Sequence, residues 1–160
     1  MDQRVPMTPR GYEALKQELQ RLKSVERPAN VKDIEEAIAH GDLSENAEYH
    51  AAKEKQAHIA GRIAMLDDRI ARAQVIDPAG QSPDKVRFGA TVLLSDIETD
   101  DEVQYTIVGE DEADAKQGQI SVTSPVARAL MSREVGDEVT VKVPKGIREF
   151  EVLVIRFDPS

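Results

Sequence analysis

The chain has 160 residues, of which 32% are charged and 40% are hydrophobic, and its formal net charge at pH 7 is −9. It contains no Cys, which excludes disulfides, thiol chemistry and Cys-based zinc sites. The net negative charge argues against long-range attraction to bare nucleic acid, because phosphate affinity comes mainly from Lys and Arg. We find neither an apolar run long enough to span a membrane nor a signal peptide, so we expect a cytoplasmic protein.

The first helical pattern begins at Thr8, a hydroxyl cap, with Pro9 at the first helical position. An apolar seam follows at helical spacing, made of Tyr12, Leu15, Leu19 and Leu22. The seam resumes out of register in Val31, Ile34 and Ile38. Pro28 lies between the two parts, and because it has no N–H to donate we expect it to kink or interrupt the helix. The pattern ends at His40, and Gly41 suits a helix C-cap.

The second helical pattern contains an unbroken heptad seam. Its members are Tyr49, Ala52, Gln56, Ile59, Ile63, Leu66, Ile70 and Ala73. The pattern ends near Ile76, before Asp77 and Pro78. Two helices of about 30 residues that are joined by a short turn must pack antiparallel, and at about 1.5 Å per residue they form a hairpin roughly 45 Å long.

Residues 78–83 read as a linker, because turn-forming residues dominate the stretch DPAGQSPD. Five β-rich segments follow, at Ala90–Leu94, Glu102–Val108, Ile120–Val122, Glu138–Val143 and Glu149–Phe157. Ser124 as cap and Pro125 at the first helical position predict one short helix that ends at Leu130. We therefore predict an α+β fold with a coiled-coil hairpin over residues 1–77. Residues 84–160 are predicted to form a small antiparallel sheet with one helix on a face.

The bend of the predicted hairpin is acidic over residues 41–48. From Asp33 to Ala52 there are six acidic residues and no Lys or Arg, whereas the rest of residues 1–77 has a net charge of +4. An acidic tip on a basic stalk is a more particular arrangement than a polar turn requires. We therefore interpret the bend as the working end of the protein.

Asp42 and Glu45 in this bend allow two interpretations that do not exclude each other. In the first, the pair is a capping box, with Asp42 as the N-cap of the second helix and Glu45 reaching back to it. In the second, the two carboxylates bind Mg²⁺, which keeps several waters and takes one or two protein carboxylates. Such a pair is not an active site by itself, so another molecule would have to complete it.

Other side chains near the bend have less specific patterns. Three histidines (His40, His50 and His58) lack the spacing of zinc ligands, so we do not expect a zinc site. Tyr49 heads the heptad seam, which favours packing over base stacking. Lys53 and Lys55 lie about 12–15 Å behind Glu45 along the helix. They are either ordinary solvated charges or contacts to an RNA backbone.

The motif GDLSENAEYHAAKE, together with RLKSVERP, VRFGATV, IVGEDEAD and ISVTSPVARAL, resembles the Gre family of bacterial transcript-cleavage factors. The resemblance covers nearly the whole chain and implies an FKBP-like fold for the second domain. It implies that this domain docks on the secondary-channel rim of bacterial RNA polymerase, with Ser124 and Pro125 in the docking surface. The coiled coil would then enter the channel and bring Asp42 and Glu45 to the nascent RNA 3′ end.

The resemblance further implies that Asp42 and Glu45 share a Mg²⁺ ion with the polymerase, whose own centre cuts backtracked RNA. The protein would therefore be a monomeric accessory factor without enzymatic activity of its own. An FKBP-like fold does not imply prolyl isomerase activity, and the few aromatic residues argue against it. Two alternatives are a factor that blocks the channel without promoting cleavage and a coiled-coil holdase. A factor that only blocks the channel does not need two carboxylates at a particular spacing, so the pair argues against it. A holdase needs a free apolar seam, whereas this seam is already used in packing within the hairpin.

Overall fold

The computed structural model describes residues 3–42 and 45–159. The chain divides into two compact units, which we call the hairpin unit (Glu13–Arg72) and the sheet unit (Met1–Tyr12 with Ala73–Ser160). These units do not coincide with the predicted ranges 1–77 and 84–160, because both the first twelve residues and the residues from Ala73 onward belong to the sheet unit. Among the described helices, none is long and apolar enough to cross a membrane.

The helices have the order and the antiparallel arrangement that the sequence predicts. They are α1 (Pro9–Arg21), α2 (Arg27–Ala39) and α3 (Ala47–Ala71), with a π-helical segment at Leu22–Glu26 between α1 and α2. The seam predicted for α3 is confirmed, since its buried residues are Ala52, Ile59, Ile63 and Leu66. The helix ends at Ala71 rather than near Ile76, because the chain turns into a strand at Ala73.

The predicted interruption near Pro28 is present as the π-helical segment. The amide of Arg27 donates to the carbonyl of Leu22, five residues earlier, and Pro28 follows in the first turn of α2. A π-turn holds one more residue than an α-turn, so it shifts the phase of the helix that follows. The segment therefore accommodates the slip between the two apolar seams without ending the helix.

The seam predicted for α2 is wrong by one residue at two positions. Val31 and Ile38 are 42% and 50% exposed, whereas their neighbours Asn30 and Ala37 are 1% and 2% exposed. Burial of Asn30 is tolerated because its Nδ2 donates to the carbonyl oxygen of Ala52 on α3, at 3.0 Å. The π-helical segment determines which residues of α2 face inward, and the spacing of apolar residues alone did not reveal this.

An ion pair between α1 and α3 adds to the hairpin unit. Arg62 Nε and Nη2 donate to the two carboxylate oxygens of Glu18, at 2.6 and 2.7 Å. The hydrogen bonds from Arg62 lower the pKa of Glu18 below its ordinary value. A bidentate pair of this kind has a fixed geometry, which a single charge contact lacks.

Among its described residues the sheet unit has seven strands, of which two were not predicted. The unpredicted strands, β1 (Val5–Met7) and β2 (Ala73–Val75), pair in parallel with Val5 opposite Ala73. The others are β3 (Thr91–Asp96), β4 (Glu102–Val108), β5 (Gln119–Ser121), β6 (Glu138–Val143) and β7 (Gly146–Arg156). They form one sheet in the order β5-β4-β3-β7-β6. All its pairs are antiparallel, as predicted, except that β4 and β5 run parallel.

The core of the sheet unit lies between one face of this sheet and the helix α4 (Pro125–Leu130). Ala127 and Leu130 of α4 are fully buried with residues of the strands, among them Val92 and Val152. Ser124 caps α4 as predicted, because its Oγ accepts the amide of Ala127 at 3.2 Å. The predicted helix on one face of the sheet is therefore confirmed.

The residue that caps α1 is itself bound by a residue far along the chain. Thr8 is the predicted cap, and its Oγ1 accepts the amide of Gly11 at 3.1 Å. Its own amide and hydroxyl donate to the carboxylate of Glu112, which also accepts the amide of Gly109. A capping box normally draws its Glu from the first turn of the same helix. Here the Glu comes from the segment between β4 and β5.

Candidate functional site: the acidic bend between α2 and α3

The bend joins α2 to α3 and presents the two predicted site residues to solvent. The helix α2 ends at Ala39 and its C-cap is His40, one residue before the predicted Gly41. Gly41 follows the cap with a φ of +113°, the left-handed region that favours glycine after a helix. Asp42 and Glu45 are both exposed. The two residues between them lie outside the described residues. The structure thus leaves both carboxylates open to solvent between two packed helices.

The capping interpretation of this pair is wrong. The N-cap of α3 is Asn46, whose Oδ1 accepts the amide of Tyr49 at 3.0 Å. Because α3 begins at Ala47, Asp42 lies too far ahead of the helix to cap it, and Glu45 precedes the cap instead of following it. Helix capping therefore does not account for either carboxylate.

Asn46 was missed by the sequence analysis, and it contacts both helices. Besides capping α3, its Nδ2 donates to the carbonyl oxygen of Ala37 on α2, at 2.7 Å. The signal available in the sequence was a good N-cap residue directly before a long helical pattern, with Glu48 in the first turn. The capping-box pattern of Asp42 and Glu45 led us to predict Asp42 as the N-cap instead of Asn46.

Charged residues of both helices surround an open cavity beside the bend, with a volume of about 350 Å³. Its lining includes Asp33, Glu36, His40, Glu48 and Lys55. His40 Nδ1 lies 3.3 Å from a carboxylate oxygen of Glu48. No group of three or more His, Asp or Glu that could hold a metal occurs among residues 3–42 and 45–159.

Asp42 and Glu45 fit Mg²⁺ in the type of atom they offer, since carboxylate oxygens are the ligands that this hard cation prefers. A pair supplies only one or two of the six positions that Mg²⁺ fills, and waters or another molecule must supply the rest. The arrangement is therefore suited to a shared ion.

Tyr49, Lys53 and Lys55 occupy different environments on α3. The Tyr49 side chain is half-buried, and its ring lies edge-on to that of His50 with centroids 5.6 Å apart. This placement agrees with the packing interpretation. Lys53 is exposed and donates from Nζ to Gln56 Oε1 at 2.8 Å, and Lys55 is also exposed. Both lysines are open to a partner, and their contact with RNA stays a prediction.

Ser124 and Pro125 lie in the sheet unit, at the start of α4. The Ser124 hydroxyl is engaged in capping, and Pro125 is exposed at the first turn of the helix. The exposed proline ring is therefore the part of this pair that is available to a partner, and its role in docking stays a prediction.

The comparisons with known proteins agree over almost the whole chain. Residues 5–75 match the family model described as "Transcription elongation factor, N-terminal". Residues 81–157 match the model described as "Transcription elongation factor, GreA/GreB, C-term". Each of the two matches covers a segment centred on one of the compact units. The chain belongs to the GreA/GreB family of transcription elongation factors.

Similar proteins carry the same name in several bacteria. The chain is 61% identical to the transcription elongation factor GreA of Hyphomonas neptunium, over 96% of this chain and 98% of that protein. It is 63% identical to GreA of Anaeromyxobacter sp. (strain K), over 97% of this chain and 93% of that protein. Among solved structures, the GreA factor homolog 1 of Thermus thermophilus is 30% identical, with a TM-score of 0.44 over 96% of this chain and 99% of that one.

Proposed function

We propose that this protein binds RNA polymerase and stimulates the polymerase's own Mg²⁺-dependent cleavage of backtracked RNA. The sheet unit docks at the rim of the secondary channel, with Pro125 in the contact. The hairpin unit enters the channel and delivers Asp42 and Glu45 to the active centre. Arrested complexes then resume from the new RNA 3′ end.

One observation supports this proposal above the others: the two carboxylates lie exposed in the bend, and neither is used to cap the helix that follows. In a family of elongation factors, two exposed carboxylates at this bend are accessible to a partner. An acidic segment is repelled by RNA phosphates unless a divalent cation lies between them. The proposal therefore assigns Asp42 and Glu45 to a Mg²⁺ ion that the polymerase also holds.

The Mg²⁺ ion, when bound, stabilises the charge on the attacking and leaving oxygens during hydrolysis. The residues of this chain contribute negative charge and oxygen ligands at the bend. Lys53 and Lys55 lie farther along α3 and are exposed, and in this proposal they contact the RNA backbone. The chain supplies an incomplete metal site, so it acts as an accessory factor and is not a nuclease.

The direct test uses stalled elongation complexes with radiolabelled nascent RNA, with and without the full-length protein. We expect the protein to shorten the RNA from its 3′ end and to restore elongation. In a parallel reaction, the protein is incubated with free labelled RNA and Mg²⁺ but no polymerase, and we expect no cleavage. If an activity that cleaves free RNA copurified with the protein, the protein would be a nuclease. Tight binding to the complex without RNA shortening would favour the channel-blocking alternative.

A further inference from the structure

The side chain of Asn46 connects the last turn of α2 to the first turn of α3. Its Nδ2 donates to the Ala37 carbonyl at 2.7 Å, and its Oδ1 accepts the Tyr49 amide at 3.0 Å. Its backbone carbonyl accepts the amide of His50 at 3.1 Å, which closes the first turn of α3. The residue has extended backbone angles, with φ −88° and ψ 96°, and is half-buried. One carboxamide therefore fixes both ends of the bend.

Glu45 directly precedes Asn46, and Asp42 lies four residues before it. Both carboxylates are exposed and lie outside the packed core of the hairpin unit. The carbonyl that Asn46 binds belongs to Ala37, which is 2% exposed and lies within the packed hairpin. The bend is thus held from a rigid position at one end and from the first turn of α3 at the other.

We infer that Asn46 is a positioning residue, which holds Asp42 and Glu45 in the arrangement that takes a shared Mg²⁺ ion. The inference rests on the proposed function. A short polar contact behind metal-binding carboxylates acts by limiting the positions that they sample. Loss of such supporting contacts commonly costs about 10–100-fold in metal affinity or activity.

A carboxamide is required at this position because the two contacts have opposite polarity. A Ser side chain caps a helix about as well as Asn. Its single oxygen cannot occupy the two places that Oδ1 and Nδ2 of Asn46 fill. Asn46→Ser therefore keeps the cap of α3 and removes the contact with Ala37. A role in capping alone predicts little change for this substitution.

A matched control is available in Asn30, whose Nδ2 also donates across the hairpin, to the Ala52 carbonyl at 3.0 Å. Asn30→Ala removes a contact from α2 to α3 and leaves the contacts of Asn46 in place. Any effect that follows from a weaker hairpin alone should appear in both variants. An effect on the position of the bend should appear only in Asn46→Ser.

The first measurement is stimulated RNA cleavage in stalled complexes, as a function of the concentrations of the protein and of Mg²⁺. We expect Asn46→Ser to lower the maximal rate by about 10–100-fold. We expect the protein concentration that gives half of the maximal rate to stay near wild type, and the Mg²⁺ requirement to rise. Asn30→Ala should cleave like wild type at a temperature where it is folded. Wild-type rates in Asn46→Ser would overturn the inference.

The second measurement needs no polymerase and uses ¹⁵N relaxation of the free, full-length protein. We expect the backbone order parameters of Asp42 and Glu45 to fall in Asn46→Ser toward about 0.6 or below, the range of flexible backbone. They should be unchanged in Asn30→Ala. Unchanged order parameters in Asn46→Ser would overturn the inference even if the wild-type protein stimulates cleavage. A wild-type protein that fails to stimulate cleavage would instead refute the proposed function.

Discussion

Asp42 and Glu45 can be converted to amides without removing a helix cap, because Asn46 caps α3. Asp42→Asn with Glu45→Gln keeps side-chain size and removes the charge that binds a hard cation. We expect the free energy of unfolding to change little and stimulated cleavage to fall by about 10²-fold or more, as when other charge-stabilising groups are lost. Raising the Mg²⁺ concentration or supplying Mn²⁺ should restore part of the rate. Cleavage assays and urea unfolding measure the two effects, and a binding titration with polymerase shows whether the variant still binds.

Glu54→Gln is the matched control for the amide pair, because Glu54 is an exposed carboxylate on α3 outside the bend. It removes one negative charge from the same unit. We expect wild-type cleavage from this variant. The double amide variant must be well folded and bound to polymerase for this comparison. If it then stimulated cleavage at a near-normal rate, the carboxylates of the bend would have no part in the mechanism.

Asp96 provides a second prediction at the scale of single residues, one that concerns stability. Its side chain is 4% exposed. One oxygen accepts Nε and Nη2 of Arg148, at 2.9 and 2.5 Å, and the other accepts the amides of Glu98 and Thr99. The hydrogen bonds from Arg148 lower the pKa of Asp96 below its ordinary value of 3.8, and the two amides act in the same direction.

A lowered pKa in the folded state means that the ionised carboxylate stabilises the fold. This contribution is complete above pH 3.8, the ordinary pKa of the group, and is lost as the pH falls through the lower pKa of the folded protein. We expect Asp96→Asn to be less stable than wild type at pH 7, with a difference that shrinks as the medium becomes acidic. Urea unfolding midpoints of both proteins over this pH range measure it. A constant difference at all pH values would contradict the assigned cause.

At the scale of secondary-structure elements, the π-helical segment explains how the inward positions before and after it both face α3. The inward positions Leu15 and Leu22 of the first seam are seven residues apart, and Asn30 and Ala37 of the second are also seven apart. Leu22 and Asn30 are eight apart, so the segment contains one residue more than the heptad repeat needs. Because Pro28 cannot donate, an α-helix through this region would also lack one hydrogen bond.

Deletion of Ser24 together with Pro28→Ala should convert the first helical stretch into a regular α-helix. The inward residues then stay in phase, so we expect the free energy of unfolding to remain within about 1 kcal/mol of wild type, since no core side chain is altered. Backbone chemical shifts should show that the π-helical segment has gone.

Deletion of Ala57 from α3 is the matched control, because it breaks an unbroken seam. It rotates Ile59, Ile63 and Leu66 by about 100° relative to Ala52. We expect a loss of about 3 kcal/mol or more, since each buried Ile or Leu is worth about 1.5–3 kcal/mol. Equal losses of unfolding free energy on deletion of Ser24 and of Ala57 would mean that the π-helical segment does not serve to keep the inward residues in phase.

The sequence predicted the elements that local periodicity defines and missed those that depend on distant partners. The α3 seam, the capped helix α4 and the strand Glu102–Val108 are repetitive or carry a strong start signal, so they could be recognised. The strands β1 and β2 are three residues each, and each exists only through its pairing with the other. The cap that Glu112 provides for Thr8 joins residues 104 positions apart. No local pattern contains that information.

The same reasoning applies to the site. The acidic pair was recognisable because six acidic residues and no basic ones surround it. The identity of the cap was not, since Asp42 and Asn46 are both good N-cap residues in front of the same helix. Only the position at which α3 begins distinguishes them, and there Asn46 also contacts Ala37 on the other helix.

At the scale of the whole molecule, the hairpin unit is a continuous insertion into the sheet unit. We therefore expect the sheet unit to fold when residues 13–72 are replaced by a flexible linker of about ten Gly and Ser residues. This variant should bind polymerase and fail to stimulate cleavage, because it lacks Asp42 and Glu45. Circular dichroism, a binding titration and the cleavage assay test these three expectations.

A fragment of residues 84–160 is the informative comparison, because it lacks β1, β2 and the Thr8 side chain that binds Glu112. We expect it to be less stable than the linker variant. Loss of polymerase binding in a well-folded linker variant would move the docking surface into the hairpin unit. If the linker variant kept wild-type affinity for polymerase after a further Pro125→Glu substitution, the docking surface would not include the start of α4.

The pairing of β1 with β2 also has a consequence for biosynthesis. Residues Val5–Met7 leave the ribosome before the whole hairpin, whereas their partners Ala73–Val75 leave after it. At about 5–20 residues per second, the first strand waits roughly 3–14 s for its partner. During that interval the contacts of the hairpin unit, which are close in sequence, can form first, since local contacts form faster than distant ones. The strand β1 can therefore pair with β2 only after all residues of the hairpin unit have been synthesised.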